Sequence, residues 1–243
     1  NYAQKALDLS KKIGDKVEEG NAYLNLGNAG ILLGNYPSAL ENFANAQNVF
    51  ETENNADNQK NRAIKNGLAR AYGSIGIVFS EQSNYSKALQ YHLKAVKIYE
   101  EIKDEVRVAR IYNNIGIVYK SQQEDFKALD YFIKAQKIQE KIGDNSLGII
   151  TTNIGNIYLK QKNYPKAFEY YSEAEKDFQK NPNARGLGEL YNNLGTYYEE
   201  NKNPEKALDS WQKAIAIFSS IQDKFGISDT YFHLGSFYNE KRN

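Results

Sequence analysis

The side chains best placed for chemistry in this sequence are asparagines that recur at a nearly constant spacing. Asn114, Asn153 and Asn193 follow one another at intervals of 39 and 40 residues. An asparagine amide carries two N–H donors and one acceptor oxygen on a short arm. It can therefore pair with the N–H and C=O groups of a peptide backbone, whatever side chains that peptide carries. The chemistry indicated is hydrogen bonding to another chain, not the making or breaking of covalent bonds.

The residue types needed for catalysis or metal binding are scarce. Among 243 residues there is no cysteine, and the only histidines are His92 and His233. This composition excludes a disulfide framework, a zinc knuckle and a thiol nucleophile, and neither an HExxH nor a GxxxxGKS/T motif occurs. Paired carboxylates such as Glu199 and Glu200 fall on predicted helix surfaces, where such pairs are usually solvated. We therefore expect no catalytic residue, no metal and no cofactor, and we expect that the protein is not an enzyme.

Charge and hydropathy narrow the class of partner. Lysine and arginine number 31 and aspartate and glutamate 30, which gives a net charge of +1. Nucleic-acid binding usually needs a basic surplus or stripe, so nucleic acid is not an expected partner. No apolar run is long enough to span a membrane, and the absence of cysteine fits a cytoplasmic protein. Residues 1–5 are neither an initiator methionine nor a signal peptide, so we expect a segment of a longer or processed protein.

The asparagines belong to an internal repeat that spans the whole chain. Six segments end in a glycine; the first interval is 49 residues and the later ones are 39 or 40. These glycines are Gly27, Gly76, Gly116, Gly155, Gly195 and Gly235. After each of the first five come an alanine, an aromatic residue or histidine, and another alanine at fixed spacing. The aromatic or histidine positions are Phe43, His92, Phe132, Tyr171 and Trp211. We therefore expect His92 to be a packed core residue and not a metal ligand.

The spacing of apolar residues within each repeat predicts two helices. Tyr112, Ile115, Gly116 and Tyr119 lie at positions i, i+3, i+4 and i+7, which is one face of a helix. Starts are indicated by aspartates that can cap first helices and prolines that fit the first turn of second helices. These residues are Asp15, Asp104, Asp144, Asp223, Pro37, Pro165 and Pro204. No strand pattern occurs, and the predicted helices are 2–13, 16–33, 37–53, 58–82, 85–102, 105–122, 125–142, 145–161, 165–180, 184–200, 204–221 and 224–240.

This pattern resembles the tetratricopeptide repeat, in which an aromatic residue, Leu-Gly and tyrosine are followed by alanine and phenylalanine. Departures are Gly30 in place of an aromatic residue in the first copy and Thr151 in place of tyrosine in the fourth. The common repeat has about 34 residues. The longer period here looks like that of kinesin light chains, spindle-orientation adaptors and bacterial peptide-pheromone receptors. It also looks like that of the sensory repeats of bacterial histidine kinases, transcription regulators and CHAT-type proteases. The resemblance implies an all-α fold, a right-handed solenoid of about five to six helix-turn-helix repeats.

The resemblance covers essentially the whole chain and implies a single domain, residues 1–243. Partial repeats at 1–14 and 223–243 flank whole repeats at about 15–57, 58–103, 104–143, 144–182 and 183–222. The polar segment 51–65 is expected to form a longer loop and an extended helix. The first and last helices lack a partner in this pattern. Their apolar surfaces are therefore expected to be covered by neighbouring repeats, a capping helix or self-association through the solenoid ends.

In similar proteins a stripe beside the packing face of each first helix faces a concave groove, and an asparagine two residues before the glycine holds an extended ligand. The resemblance thus implies a peptide-binding set of Asn25, Arg70, Ser74, Arg110, Asn113, Asn114, Asn153, Asn156, Asn192, Asn193, Thr196 and His233. The position six residues before each repeat glycine changes in charge along the chain. It holds arginine in the N-terminal half, at Arg70 and Arg110, and an acidic residue in the C-terminal half, at Glu189 and Asp229. The groove is therefore expected to be positively charged at one end and negatively charged at the other, so that it favours acidic ligand residues at the first end and basic ones at the second. The alternative is that these asparagines fill space or hydrogen-bond within their own repeats.

The function expected from the resemblance is that of a scaffold that binds a protein or peptide in the concave groove. Two alternatives come from other classes of protein. The segment could be the sensory or regulatory part of a larger bacterial signalling protein, such as a histidine kinase, transcription regulator or CHAT-type protease, or it could be a structural module that assembles end to end.

Overall fold

A computed structural model describes residues 2–53, 58–143 and 147–240. Within these ranges the chain forms twelve α-helices and no strand, which confirms the all-α prediction. The helices are α1 (Tyr2–Ile13), α2 (Lys16–Leu32), α3 (Tyr36–Thr52), α4 (Asn58–Glu81), α5 (Tyr85–Glu101), α6 (Glu105–Ser121), α7 (Asp125–Ile142), α8 (Gly148–Lys160), α9 (Tyr164–Lys180), α10 (Ala184–Glu200), α11 (Pro204–Ser220) and α12 (Lys224–Glu240). None of the described helices is both long enough and apolar enough to cross a bilayer.

The chain divides into two compact units, residues 1–135 and 136–243, with the division falling inside α7. In the first unit α2 packs along α3 and α4 along α5; in the second, α8 packs along α9 and α10 along α11. Short loops join the members of each pair, so the two helices run antiparallel. Each unit is therefore a stack of helix pairs of the kind expected from the repeat.

Each of the first five repeat glycines lets the two helices of its pair approach closely. A methyl group on Gly116 would lie 2.5 Å from the ring of Phe132, and one on Gly155 would lie 2.6 Å from the ring of Tyr171. Both rings are fully buried. Glycine is required at these positions because no side chain can share the space with the ring. Gly27, Gly76 and Gly195 face Phe43, His92 and Trp211 in the same way.

A second set of glycines, which the repeat pattern did not single out, joins one repeat to the next. The ring of Phe178 on α9 lies between Gly148 of α8 and Gly186 of α10, at 2.6 and 2.8 Å from a methyl group built on each. Phe50 lies between Gly20 and Gly67 in the same arrangement, and Phe218 between Gly188 and Gly226. These glycines precede the repeat glycine by seven or nine residues, so their spacing could have revealed them.

Predicted helix starts agree with the structure to within one residue except at one helix. The side chains of Asp15, Asp104 and Asp223 accept hydrogen bonds from backbone N–H groups of the turn that follows each of them. Pro37, Pro165 and Pro204 lie in the first turns of α3, α9 and α11. Asp144 lies outside the described residues.

Helix α8 is expected to begin at residue 145, but it begins at Gly148, with Leu147 as the residue before its first turn. Leu147 provides no side-chain cap. The backbone N–H of Gly148 donates instead to Asp177 of α9, at 2.7 Å. The sequence pattern missed this start because the capping group comes from another helix.

The polar segment 51–65 contributes to a longer helix, as predicted. Helix α4 has 24 residues, whereas its counterparts α2, α6 and α10 have 17. Residues 54–57 of that segment lie outside the described residues.

At the ends of the repeat array, α1 exposes Tyr2 and Ile13, and α12 exposes Phe225 and Phe232. The prediction of apolar surface on the first and last helices is therefore confirmed.

Candidate functional site

The first helices of the pairs lie side by side within each unit. Backbones approach within 8 Å between α2 and α4 and between α4 and α6 in the first unit, and α10 likewise contacts α8 and α12 in the second. Among the described residues, α3 has no such contact with α5, nor α9 with α11. Neighbouring first helices therefore approach one another more closely than neighbouring second helices do, and the predicted binding residues belong to these first helices.

Four of the predicted residues converge on one cleft in the first unit. Arg70 and Ser74 of α4 face Arg110 and Asn114 of α6 across a cavity of about 230 Å³. We call this the arginine cleft. Its remaining lining residues are Gly73, Ile77, Tyr99, Arg107 and Ile111.

Five of the residues that line the arginine cleft were not predicted, and two of them, Arg107 and Tyr99, carry polar groups. Arg107 precedes Arg110 by three residues, so the two arginines share one side of α6; this spacing was a usable signal. Tyr99 comes from the second helix α5. Nothing in the sequence pattern of the first helices indicates it.

The electrostatics of the arginine cleft are dominated by three guanidinium groups. Arg107 forms an ion pair with Asp104 and lies over the Tyr99 ring, 5.9 Å from its centroid. Arg70 donates to the neutral side-chain oxygen of Asn21 at 3.0 Å. Burial raises the pKa of Tyr99 to about 12, and this rise is opposed by the positive charges of the three arginines. Arg110 is exposed and makes no ion pair with any of the described residues.

A second cleft adjoins the first and shares Arg70 with it. Its volume is about 360 Å³. It lies between α2 and the N-terminal part of α4, including the turns that the polar insertion adds. We call it the neighbouring cleft, and its lining residues are Val17, Asn21, Arg62, Ala63, Asn66, Gly67 and Arg70.

In the second unit, several predicted residues bond to the protein itself. Asn156 accepts a hydrogen bond from the Tyr171 hydroxyl at 2.7 Å. The amide nitrogen of Asn192 donates to Asp229 at 2.8 Å, while its oxygen is buried and has no hydrogen-bond partner among the described residues. The Asn156 contact is of the kind that the alternative interpretation, bonding within the same repeat, describes, whereas the Asn192 contact joins one repeat to the next.

The remaining predicted residues differ in exposure. His233 is half-buried and stacks on Trp211, with ring centroids 6.3 Å apart. Asn153 is buried, with 9% of its surface exposed. Asn113, Asn193 and Thr196 are half-buried, and Asn25 is exposed.

The second unit also contains a cleft of about 260 Å³ between the end of α7, α8 and α9. None of the predicted binding residues lines it. It carries charges of both signs, since its lining includes Glu140, Glu173 and Asp177 as well as Lys176 and Lys180. Asp177 is already engaged by the backbone N–H of Gly148.

His92 behaves as the repeat pattern predicts. It is 1% exposed and packs against Gly76 in the slot that aromatic residues fill elsewhere. Burial lowers its pKa to about 4. In the described part of the chain, no three His, Cys, Asp or Glu side chains come together in a way that could hold a metal ion.

A search of curated protein sequences returns no match. Several solved structures share the fold. BtubC from P. vanneervenii is 17% identical, with a TM-score of 0.72 over 91% of this chain and 90% of BtubC. Aspartyl phosphate phosphatase F from Bacillus subtilis is 19% identical, with a TM-score of 0.81 over 100% of this chain and 60% of the phosphatase. The Rap conjugation gene regulator of the plasmid pLS20, solved in complex with the Phr peptide, is 18% identical, with a TM-score of 0.76 over 93% of this chain and 60% of the regulator.

Two family models described as tetratricopeptide repeat match the sequence. One matches residues 107–180 and 147–220, and the other matches residues 68–102. The matched segments together span more than half of the chain, and the helix pairs, repeat glycines and facing rings agree with them. The chain belongs to the tetratricopeptide repeat family.

Proposed function

We propose that this chain is a protein- or peptide-binding scaffold that holds an extended partner segment along its first helices. The observation that carries the proposal is the arginine cleft, where hydrogen-bonding groups from α4 and α6 converge on a space that the chain itself leaves open. The Rap regulator, which has a similar fold, was solved with a peptide bound, and this supports the same class of function here.

The cleft has the chemistry that an extended backbone needs. Ser74 and Asn114 are half-buried and sit at equivalent positions of successive first helices. Each can both donate and accept a hydrogen bond. An extended peptide presents N–H and C=O groups at regular intervals, and apolar Ile77 and Ile111 beside them can shield those bonds from water. The arrangement therefore suits a backbone laid across neighbouring repeats.

The proposal predicts that removing one amide weakens binding without unfolding the protein. A partner is first identified with a peptide array and a pull-down from the source cell. Asn114→Ala should then lower its affinity about 2- to 12-fold, because a typical hydrogen bond contributes about 0.5–1.5 kcal/mol. Asn193→Ala tests the second unit in the same way. Calorimetry measures the affinities, and circular dichroism checks that helicity is retained.

The matched control is Asn48→Ala, which removes the same side chain from an exposed position on the second helix α3. The affinity of this variant for the partner should equal that of the wild-type protein. Unchanged affinity in Asn114→Ala, Ser74→Ala and Asn193→Ala, together with a binding site mapped to the second helices, would reject the proposal and leave only the fold.

A further inference from the structure

The first-helix side of the first unit concentrates positive charge in a chain that is almost neutral overall. The arginine cleft and the neighbouring cleft together are lined by Arg62, Arg70, Arg107 and Arg110, and no Asp or Glu among the described residues lines either of them. The whole chain has a net charge of only +1. The concentration of arginines is therefore a local feature of this face.

The protein's own groups neutralise these arginines only in part. Asp104 pairs with Arg107 and also caps α6 by accepting from the backbone N–H of Arg107. Arg70 has a neutral partner, Asn21, and Arg110 is exposed. Like charges held close together cost free energy when no counter-charge lies between them. A ligand that brings negative charge would relieve this repulsion.

The geometry of the cleft suits an anion with two or more oxygens. A guanidinium group offers paired N–H donors in a planar fork that matches carboxylate and phosphate oxygens. The Tyr99 ring is 3% exposed and lies beneath Arg107, which limits the orientations that the guanidinium can take. Ser74 and Asn114 add neutral donors at the same cleft.

We infer that this face selects an extended segment carrying acidic groups, carboxylate or phosphate, which Arg70, Arg107 and Arg110 bind in the arginine cleft. The inference rests on the proposed function and names the chemical class of the partner. Arg62 and the shared Arg70 provide a second position for negative charge in the neighbouring cleft. A segment with acidic groups at successive positions would use both clefts.

The first test asks whether the cleft binds an anion at all. Inorganic phosphate is titrated into the full chain at constant ionic strength, with chloride as the balancing salt, and NMR follows the side-chain Nε–H signals of the arginines. Signals of Arg70, Arg107 and Arg110 should move together and saturate. Arg110→Gln should weaken the apparent phosphate affinity at least about threefold, whereas Lys97→Gln, which removes one exposed charge from α5, should leave it unchanged.

The second test separates the chemical sources of the acidic group. An array presents each peptide in three versions that differ only at central positions, with glutamate, phosphoserine or glutamine. Binding to the glutamate or phosphoserine version should exceed binding to the glutamine version at least about threefold, and the stronger of the two identifies the group. Arg110→Gln should reduce this preference, and Lys97→Gln should preserve it.

The outcomes distinguish this inference from the scaffold proposal. Equal binding of all three versions, with no movement of the arginine signals, would overturn the preference for acidic segments while supporting peptide binding. Phosphate-dependent shifts without binding of any peptide would overturn both the scaffold and the acidic segment, leaving a small-anion site. Scattered shifts of surface lysines, with the three arginine signals unmoved, would also overturn the inference.

Discussion

His92 occupies the position at which the other repeats place phenylalanine, tyrosine or tryptophan. Its ring is 1% exposed, and Nδ1 has no hydrogen-bond partner in the described part of the protein. A buried imidazole without a partner is stable only in its neutral form, and burial accordingly lowers the pKa of His92 to about 4. At the scale of the single residue, the repeat accepts an imidazole, which titrates near neutral pH, in place of a ring that stays uncharged there, and folding thereby becomes sensitive to pH.

We predict that His92→Phe reduces the loss of stability in mild acid. The unfolded chain has a histidine pKa of about 6.5 and so binds a proton between pH 6.5 and 4 that the folded chain does not. The contribution of the neutral imidazole to the free energy of unfolding has its full value above about pH 6.5. It falls as the pH drops towards 4, by up to about 3 kcal/mol. Urea denaturation at several pH values measures this difference between wild type and variant.

Carboxylates also titrate in the lower part of this range, so the comparison must be between variants. His233→Asn, which places at residue 233 the amide found there in other repeats, removes the chain's only other histidine. Because this variant keeps His92, its free energy of unfolding should fall between pH 6.5 and 4 as much as that of the wild-type protein. If His92→Phe and wild type lose stability in parallel between pH 6.5 and 4, His92 is not the cause.

At the scale of the element, the repeat glycine and its facing ring fix how the two helices of a pair meet. Gly195 of α10 lies against the fully buried indole of Trp211 on α11. Gly235 holds the same position in α12, but a methyl group there would meet nothing within 4 Å. The same residue at the same register is therefore constrained by packing in one helix and unconstrained in the other.

We predict opposite effects of alanine at these two glycines. Gly195→Ala should destabilise the protein by about 1–3 kcal/mol, because the added methyl group overlaps a rigid ring that has no free space to move into. Gly235→Ala should be neutral or stabilising by up to about 1 kcal/mol, since alanine is the better helix former. Urea denaturation measures both. A similar loss of stability in the two variants would show that the facing ring does not explain the glycine at this position, because only Gly195 has such a ring.

At the scale of the whole molecule, stability is built from local contacts. Each recorded helix–helix contact joins helices that are at most two apart along the chain. Separate clusters of buried side chains lie around Phe43 and Phe50 in the first unit and around Tyr171 and Phe178 in the second. In such repeat proteins, stability is approximately a sum of repeat and nearest-neighbour terms. A local defect should therefore have a local effect.

We predict that hydrogen exchange will locate the damage from Gly195→Ala. Backbone amides of α10 and α11 should lose the most protection, with smaller losses in their neighbours α9 and α12, because these helices share the disturbed contacts. Protection in α2 and α3 should remain at the wild-type level. Mass spectrometry of peptic fragments provides the measurement. A uniform loss of protection across all helices would show that the chain unfolds as one cooperative body instead.

The sequence alone determined the helices and the repeat, because the signals for both are local. Apolar spacing with a period near 3.6 residues defines the faces of the helices, and Asp15, Asp104 and Pro204 mark starts that the structure confirms. The spacing of the repeat glycines predicted the helix pairs, since each of the first five glycines meets a ring a fixed number of residues later. The start of α8 could not be predicted in this way, because Asp177 lies 29 residues beyond the N–H that it accepts from.

Only the tertiary structure decided which polar side chains act together. The sequence placed Arg70 and Arg110 at the same repeat position of successive first helices, but it could not bring Tyr99 beneath Arg107 or join the two arginine-lined clefts through Arg70. It also could not distinguish asparagines that face open space from those that bond to the protein, such as Asn156 with Tyr171. A helix face is set by positions three or four residues apart. A site is set by the packing of side chains from different helices, which depends on interhelical geometry that no short stretch of sequence specifies.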